Sequence, residues 1–152
     1  MNKFTEADEM YKFLSSDTDK IYGLSFLIMP SLWFSEDVKL ENFLKELKNY
    51  SDKCTNPVDK LYGKFYYLSV KGFFLGGVNN PEVTIDQSQN FNKQALDFGI
   101  DLIELLKDSN SYLFHWVSAL FFNTKARLEN DLEKQISIHY QYLGKEYLWV
   151  IN

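Results

Sequence analysis

The chain has 152 residues, of which 45% are hydrophobic and 17% are aromatic. This length and composition indicate one folded domain over residues 1–152 and exclude a disordered chain. The net charge is -5 and Arg127 is the only arginine, which argues against nucleic acid as the main partner, because phosphate recognition relies on arginine.

Cellular location is indicated by the cysteine count and by the apolar runs. Cys54 is the only cysteine, so no disulfide can form within the chain, and we expect a cytoplasmic protein. The first residues carry acids where a signal peptide has an apolar core. The longest apolar runs, 24–29 and 112–122, are too short or too interrupted to cross a bilayer, so we expect no membrane partner.

The first third of the chain predicts a helix, a strand and a second helix. Residues 5–15 have helical spacing with Thr5 as the cap, and residues 21–29 form an apolar run that predicts a buried strand ended by Pro30. Ser35 can cap the second helix. Its apolar positions, at helical spacing, are Leu40, Phe43, Leu44 and Leu47.

The stretch from Val58 to Val78 predicts a β-hairpin. Large side chains alternate on both faces of residues 65–70, which is typical of an inner strand covered on both sides. Lys71 and Gly72 would form the turn, and residues 73–75 would return antiparallel. Gly76 and Gly77 would end the second strand, and a polar loop over 81–90 would follow.

A third amphipathic helix is predicted from about Asn92 to Lys107. Its apolar face is formed by Leu96, Ile100 and Ile103 and is extended by Phe98, Leu102 and Leu105. Its acidic ridge consists of Asp97, Asp101, Glu104 and Asp108. The ridge has two interpretations, the solvated side of the helix or a surface that attracts a basic partner or a metal.

The last third is less uniform. Residues 112–122 fit either a helix or a strand, and their aromatic alternation favours the strand. Asn123 or Thr124 would then cap a short helix that carries Leu128 and Leu132. Alternation over 136–142, a turn at 144–145 and further alternation over 147–151 predict a C-terminal hairpin.

The order of these elements, with one short motif, resembles the class III nucleotide cyclases. That family has a K-x-x-G-D pattern at a strand–turn–strand, and Lys60, Gly63 and the residues between them match it up to the last position, which is Lys64. The likeness covers roughly residues 20–122. It implies an α+β fold, a ferredoxin-like antiparallel sheet with helices on one face, and a dimer with sites between the subunits.

The resemblance also implies that the catalytic carboxylates are missing. A cyclase holds two divalent cations with two aspartates, and here Ile28 and Lys64 stand at those positions. Neither side chain offers the hard oxygen that Mg²⁺ requires. We therefore expect no catalytic residues, no metal and no cofactor, and we expect the chain not to be an enzyme.

The candidate ligand site follows from the same resemblance. Lys60 matches the position that reads the base, so Lys60, Lys64 and Phe65 are the candidate nucleotide-binding residues; the alternative is that both lysines are simply solvated. A nucleophile pair of Cys54 with His115 or His139 is a further alternative, but the residues around Cys54 match no nucleophile signature.

Three functions are consistent with the sequence. The first is a non-catalytic cyclase-like domain that acts by nucleotide binding, by homodimerisation or by association with another protein. The second is a small acidic interaction protein, of the immunity or inhibitor type, that masks a basic partner. The third is an enzyme with a carboxylate set drawn from residues such as Asp86, Asp97 and Asp101.

Overall fold

The computed structural model describes residues 3–33, 37–75, 85–109 and 111–150. These residues form seven α-helices and contain no β-strand. The helices are α1 (Lys3–Tyr11), α2 (Asp17–Trp33), α3 (Asp37–Lys53), α4 (Pro57–Leu75), α5 (Ile85–Leu106), α6 (Tyr112–Ala126) and α7 (Leu132–Val150). The predicted α+β, ferredoxin-like sheet is therefore wrong, and the described part of the chain is all-helical.

The chain divides into two compact units, Met1–Tyr67 and Leu68–Asn152, and the boundary falls within α4. In the first unit, α2 packs against α3, and α1 packs against α2. The core of this unit is built from aliphatic and aromatic side chains that are at most 1% exposed: Ile21, Leu24, Ile28, Leu40, Leu44, Leu47, Phe65 and Tyr66.

The second unit contains the end of α4 together with α5, α6 and α7. Here α6 packs against both α5 and α7. The buried residues of α5 recur every three or four positions and face its neighbours: Ser88, Asn92, Ala95, Gly99, Leu102 and Leu106. This seam contains several small residues, which allows helices to approach closely.

Helix α4 replaces the predicted hairpin. Asn56 accepts hydrogen bonds from the backbone N–H groups of Val58 (2.9 Å) and Asp59 (3.3 Å), and Pro57 occupies the first helical position. The helix is buried on several sides, so its apolar residues form a nearly continuous run that resembles a buried strand. Gly72 lies inside this helix and not in a turn; Gly76 and Gly77 lie outside the described residues.

Helix α2 replaces the predicted strand at 21–29. Pro30 lies inside the helix near its end, where it removes one hydrogen bond to the carbonyl of Phe26. Phe26 is 73% exposed, so water can reach this side of the helix. Ser25 and Ser31 each donate a hydrogen bond to the carbonyl four residues earlier, at 2.9 Å. The apolar run was therefore wrongly predicted as extended, and its burial is confirmed for Ile21, Leu24 and Ile28 but not for Phe26.

The strand predicted at 112–122, the short helix after it and the C-terminal hairpin are also wrong. Helix α6 covers the first segment and begins after Ser111, whose side chain accepts a hydrogen bond from the backbone N–H of Phe114 at 3.2 Å. Leu132 begins α7, which extends through the predicted hairpin. Ile138 is buried while Ile136 and Tyr140 are exposed, so the alternation does not separate two faces of a sheet.

The predictions of three helices are confirmed, with shifted ends. Helix α1 begins at Lys3, so Thr5 lies inside it. All four predicted core residues of α3 are buried, and Ser35 lies outside the described residues. Helix α5 begins at Ile85, within the segment predicted as a polar loop.

Candidate functional site

The outward side of α5 carries a surface that combines charge with exposed apolar area. The acidic ridge, Asp97, Asp101, Glu104 and Asp108, is exposed and recurs every three or four residues, with Asp108 in the turn just after α5. At 100° per residue this ridge lies opposite the buried seam of the helix. We call the ridge, together with the flanking residues Ile100 and Leu105, the α5 outer face.

Ile100 and Leu105 distinguish the α5 outer face from an ordinary solvated helix side. Their side chains are 57% and 54% exposed, although the sequence predicted both on the apolar face of this helix. They lie on opposite flanks of the acidic ridge, one on each side, as the helical spacing requires. Leu102, which was predicted with them, is fully buried. The exposed apolar residues therefore frame a strip of negative charge.

The charges of the α5 outer face are mostly uncompensated within the described part of the chain. Glu104 forms an ion pair with Lys107. Asp97, Asp101 and Asp108 form no ion pair within 4 Å with any described residue. Lys93 is exposed one turn before Asp97, so the negative field is strongest from Asp97 onward. Such a face attracts cationic groups.

The predicted nucleotide-binding residues do not form a common site. Lys60 and Lys64 lie one turn apart on the same side of α4, and Lys64 Nζ lies 3.7 Å from Asp52 Oδ1. Phe65 is 0% exposed and lies in the core of the first unit. The hydrogen bond from Lys48 and the charges of Lys48, Lys64 and Lys60 lower the pKa of Asp52. These lysines therefore already face a carboxylate.

A buried polar cluster joins α2 to the start of α4 in the first unit. The carboxylate of Asp59 is 6% exposed and accepts hydrogen bonds from Thr18 Oγ1 at 2.7 Å and from the Tyr22 hydroxyl at 2.8 Å. The rings of Tyr22 and Tyr62 stack at 5.0 Å. Burial, and then the hydrogen bond to Asp59, raise the pKa of Tyr22 above its ordinary value. Both donors satisfy the carboxylate, so this cluster is structural.

The other candidate residues are dispersed. The sulfur of Cys54 is buried and contacts Thr18 Oγ1 at 4.0 Å and the carbonyl of Asn56 at 3.9 Å. His115 packs edge-on against Phe114, and His139 is exposed on α7. Over the described ranges, no group of three or more His, Cys, Asp or Glu side chains is arranged to hold a metal ion.

Helix α7 presents a second exposed apolar surface. Leu132, Ile136 and Tyr140 are spaced four residues apart and are 68%, 46% and 68% exposed. We call these three residues the α7 stripe. The stripe carries no charge, which separates it chemically from the α5 outer face. The sequence predicted Leu132 in a short helix and the other two residues in a hairpin, so it did not predict this surface.

Comparison of the chain with protein-family models, with curated proteins and with solved structures finds no match. The resemblance to the nucleotide cyclases therefore stays a prediction, and the hairpin in which its motif belongs is a helix here. Within the described residues, none of the helices has both the length and the apolar character needed to span a membrane.

Proposed function

We propose that the protein is a non-catalytic, acidic interaction protein whose α5 outer face binds a basic, amphipathic segment of another protein. The observation that carries this proposal is the position of Ile100 and Leu105, each more than half exposed, on the two flanks of the acidic ridge. A strip of one charge with exposed apolar side chains on both flanks is complementary to a basic, amphipathic segment.

The dimensions of the α5 outer face indicate what fits it. From Asp97 to Asp108 the ridge extends for about 16 Å, or about three helical turns. A partner helix with Lys or Arg at every third or fourth position would place its cations along this length, and its apolar residues would contact Ile100 and Leu105. Helix-in-groove and helix-on-helix recognition use the same spacing.

Charge and apolar contact have different roles in this proposal. Exposed ion pairs contribute only about 0.2–1 kcal/mol each, so charge alone gives weak binding. Burial of the exposed parts of Ile100 and Leu105 contributes the larger favourable term, of which only the part that exceeds the cost of association appears as affinity. The acidic ridge selects a basic partner and orients it.

The experiment is a calorimetric titration with a designed peptide that carries lysines at positions 1, 5, 8 and 12 and leucines on both flanks. We expect binding to wild type and about tenfold weaker binding to Asp97→Asn with Asp101→Asn, because two charge pairs of up to about 0.7 kcal/mol each are lost. The matched control is Glu6→Gln with Glu41→Gln, which removes two exposed acids from other helices.

A second pair of variants tests the apolar half of the surface. Ile100→Ser is expected to weaken the peptide, whereas Ile85→Ser, at a residue 76% exposed on the same helix but away from the ridge, is expected to leave binding unchanged. If the control pair Glu6→Gln with Glu41→Gln weakens binding as much as Asp97→Asn with Asp101→Asn does, the peptide responds only to net charge. That result would contradict a defined binding surface. Absence of binding to wild type would contradict the proposal altogether.

We also propose that the protein is located in the cytoplasm. The single, buried cysteine suits a reducing cytoplasm, where thiols persist.

Nucleotide binding at Lys60 and Lys64 stays a prediction. Its direct test is whether ATP, GTP, CTP or UTP raises the thermal midpoint of the wild-type protein more than that of Lys60→Ala. The ion pair of Lys64 with Asp52 favours a structural role for Lys64.

Self-association is a second candidate function, and the α7 stripe favours it. Because the stripe is uncharged, an equally apolar surface is its best complement, and a second copy of the chain offers one along the same length. Sedimentation equilibrium is the test. Ile136→Lys is expected to abolish the dimer, and Ser137→Lys, which adds the same charge at the next exposed position, is expected to retain it. A monomeric wild type would contradict this candidate.

A further inference from the structure

Arg127, the only arginine of the chain, is held at the end of α6 against α4 in the second unit. Its Nη1 donates a hydrogen bond to the carbonyl of Ser69 at 3.2 Å, and its Nη2 donates one to Thr124 Oγ1 at 2.9 Å. Thr124 Oγ1 donates its one proton to the carbonyl of Leu120 at 2.8 Å and lies 3.2 Å from Ser69 Oγ. The guanidinium lies over the Phe73 ring, 5.3 Å from its centroid.

The guanidinium lacks a counter-ion in the part of the chain that the structure describes. No described Asp or Glu lies within 4 Å of it, and its Nε is buried without a hydrogen-bond partner. Burial lowers the pKa of Arg127 to about 10. Arg127 as a whole is half-buried, but a guanidinium with a buried, unpaired N–H group is costly, and native structures rarely retain one without a reason.

The structure compensates for part of this charge. The carbonyls at the end of α6 carry partial negative charge, and Ser69 contributes another carbonyl. These groups satisfy the two Nη atoms but leave Nε, which is one of the donors that arginine uses to bind an oxyanion through two parallel hydrogen bonds. The Phe73 ring that lies against the guanidinium is itself 54% exposed, so the site lies near the surface of the second unit.

We propose that Arg127 binds an oxyanion, a carboxylate or a phosphate group, through its Nε edge. The hydroxyl of Ser69 lies 3.2 Å from Thr124 Oγ1, beside the guanidinium, and adds a donor that can turn toward the anion. This site lies on α4 and α6 and is separate from the α5 outer face in both residues and charge. The proposal therefore does not depend on the proposed function.

The test uses the NMR signal of the arginine Nε–H group, of which this chain has only one. Inorganic phosphate and acetate are titrated separately into full-length protein, with ionic strength held constant by chloride. We expect a saturable shift of this signal, and the anion with the lower dissociation constant identifies the phosphate or the carboxylate class. An Nε–H signal that does not move with either anion overturns the proposal.

Variants locate the effect. Lys125→Gln removes one positive charge from an exposed position of α6 and is expected to leave the anion response unchanged. Arg127→Lys is expected to weaken phosphate about tenfold, measured as the shift in thermal midpoint, because lysine cannot form the paired hydrogen bonds. Equal weakening in both variants overturns the proposal in favour of general charge attraction.

The chain's own acids provide the remaining alternative. Glu82 follows α4 in the sequence and lies outside the described residues. If Glu82→Gln shifts the Arg127 Nε–H signal in the absence of added anion, the counter-ion belongs to the chain and the proposal is overturned. An unchanged signal in Glu82→Gln, together with a retained response to the added anion, supports an external ligand.

Discussion

At the residue scale, Gly63 sets how closely α3 and α4 approach. A Cβ atom at Gly63 would lie 1.9 Å from Ser51 Oγ and 2.9 Å from Ser51 Cβ. Ser51 is 0% exposed and donates a hydrogen bond to the carbonyl of Leu47 at 2.6 Å, so it cannot turn away without loss. Only glycine fits opposite it.

We predict that Gly63→Ala lowers the free energy of unfolding by about 2 kcal/mol, since overpacking typically costs about 1–3 kcal/mol and outweighs the better helix propensity of alanine. Adding Ser51→Gly is expected to recover part of this loss. The measurement is urea denaturation of both single variants and the double variant. Simple additivity of the two single changes would contradict the contact.

Gly23→Ala is the matched control for Gly63→Ala. There the nearest atom to an added Cβ is Leu14 Cδ1 at 2.6 Å, the end of a flexible and only half-buried side chain. Leu14 can change rotamer, so Gly23→Ala is expected to cost clearly less than Gly63→Ala in the same denaturation experiment.

The carboxylate of Asp59 provides a second prediction at this scale. Its removal in Asp59→Ala leaves the half-buried hydroxyls of Thr18 and Tyr22 without their acceptor. Hydrogen bonds to a charged group contribute about 1.5–3 kcal/mol, so we expect a loss of about 3 kcal/mol in unfolding free energy. The control, Asp52→Ala, removes an exposed carboxylate that pairs with Lys48 and Lys64 at the surface, and it is expected to cost less than about 1 kcal/mol. Equal losses would contradict the structural role of the buried cluster.

The raised pKa values of three tyrosines determine how the free energy of unfolding depends on pH at the alkaline end. Burial raises the pKa values of Tyr11, Tyr22 and Tyr66 above the ordinary 10.0, and hydrogen bonds to Glu46 and Asp59 raise those of Tyr11 and Tyr22 further. Above pH 10 the unfolded chain loses phenolic protons that the folded chain retains. The folded state then binds more protons, so the free energy of unfolding falls as pH rises from about 10.

Denaturation midpoints between pH 8 and 11 measure this effect. Tyr22→Phe is expected to be less stable at pH 8, because Asp59 loses one donor, but to show a shallower decline above pH 10. The control is Tyr112→Phe, at a tyrosine that is 77% exposed, which should keep the wild-type slope. A pH-independent midpoint up to pH 11 would contradict the prediction.

At the element scale, the sequence predicted helices well where polar and apolar residues separate by face. In α3, Leu40, Leu44 and Leu47 are buried while Glu41 and Lys45 are exposed, so the helical period is visible in the sequence. The sequence failed where a helix is buried on several sides. In α4 and α2 the apolar residues form runs, and a run without a polar face does not distinguish a strand from a helix.

The capping residue before α4 was the sequence signal that distinguishes this helix from a hairpin. Asn56 and Pro57 come directly before the predicted hairpin, and this pair is a favoured start of a helix. Only one half of the α5 outer face could be predicted from the sequence. The acidic ridge follows from the sequence, but the exposure of Ile100 and Leu105 does not, because it depends on which side of α5 packs against its neighbours.

The cap of α4 gives a prediction that separates helix from hairpin. Asn56→Ala removes the acceptor of two backbone N–H groups and is expected to cost about 1 kcal/mol of unfolding free energy, measured by urea denaturation. Asn56→Asp retains the acceptor and favours the positive end of the helix, so we expect wild-type stability. In a hairpin beginning at Val58 both variants would be neutral, and that result would contradict the helix.

At the scale of the whole molecule, the net charge of -5 acts with the α5 outer face during association. A charged protein attracts an oppositely charged partner before contact, and salt screens this attraction. Apolar contacts act only after contact has formed. The two halves of the proposed surface should therefore affect different rate constants.

We predict that Asp97→Asn with Asp101→Asn slows the association of the lysine–leucine peptide and weakens its salt dependence, with little change in the dissociation rate. Ile100→Ser with Leu105→Ser should instead speed dissociation and leave association unchanged, since these side chains are more than half exposed and carry no charge. Stopped-flow mixing at low and at physiological salt separates the two rates. If both double variants change only association, the apolar residues do not contact the partner, and the α5 outer face is an electrostatic patch and not a docking site.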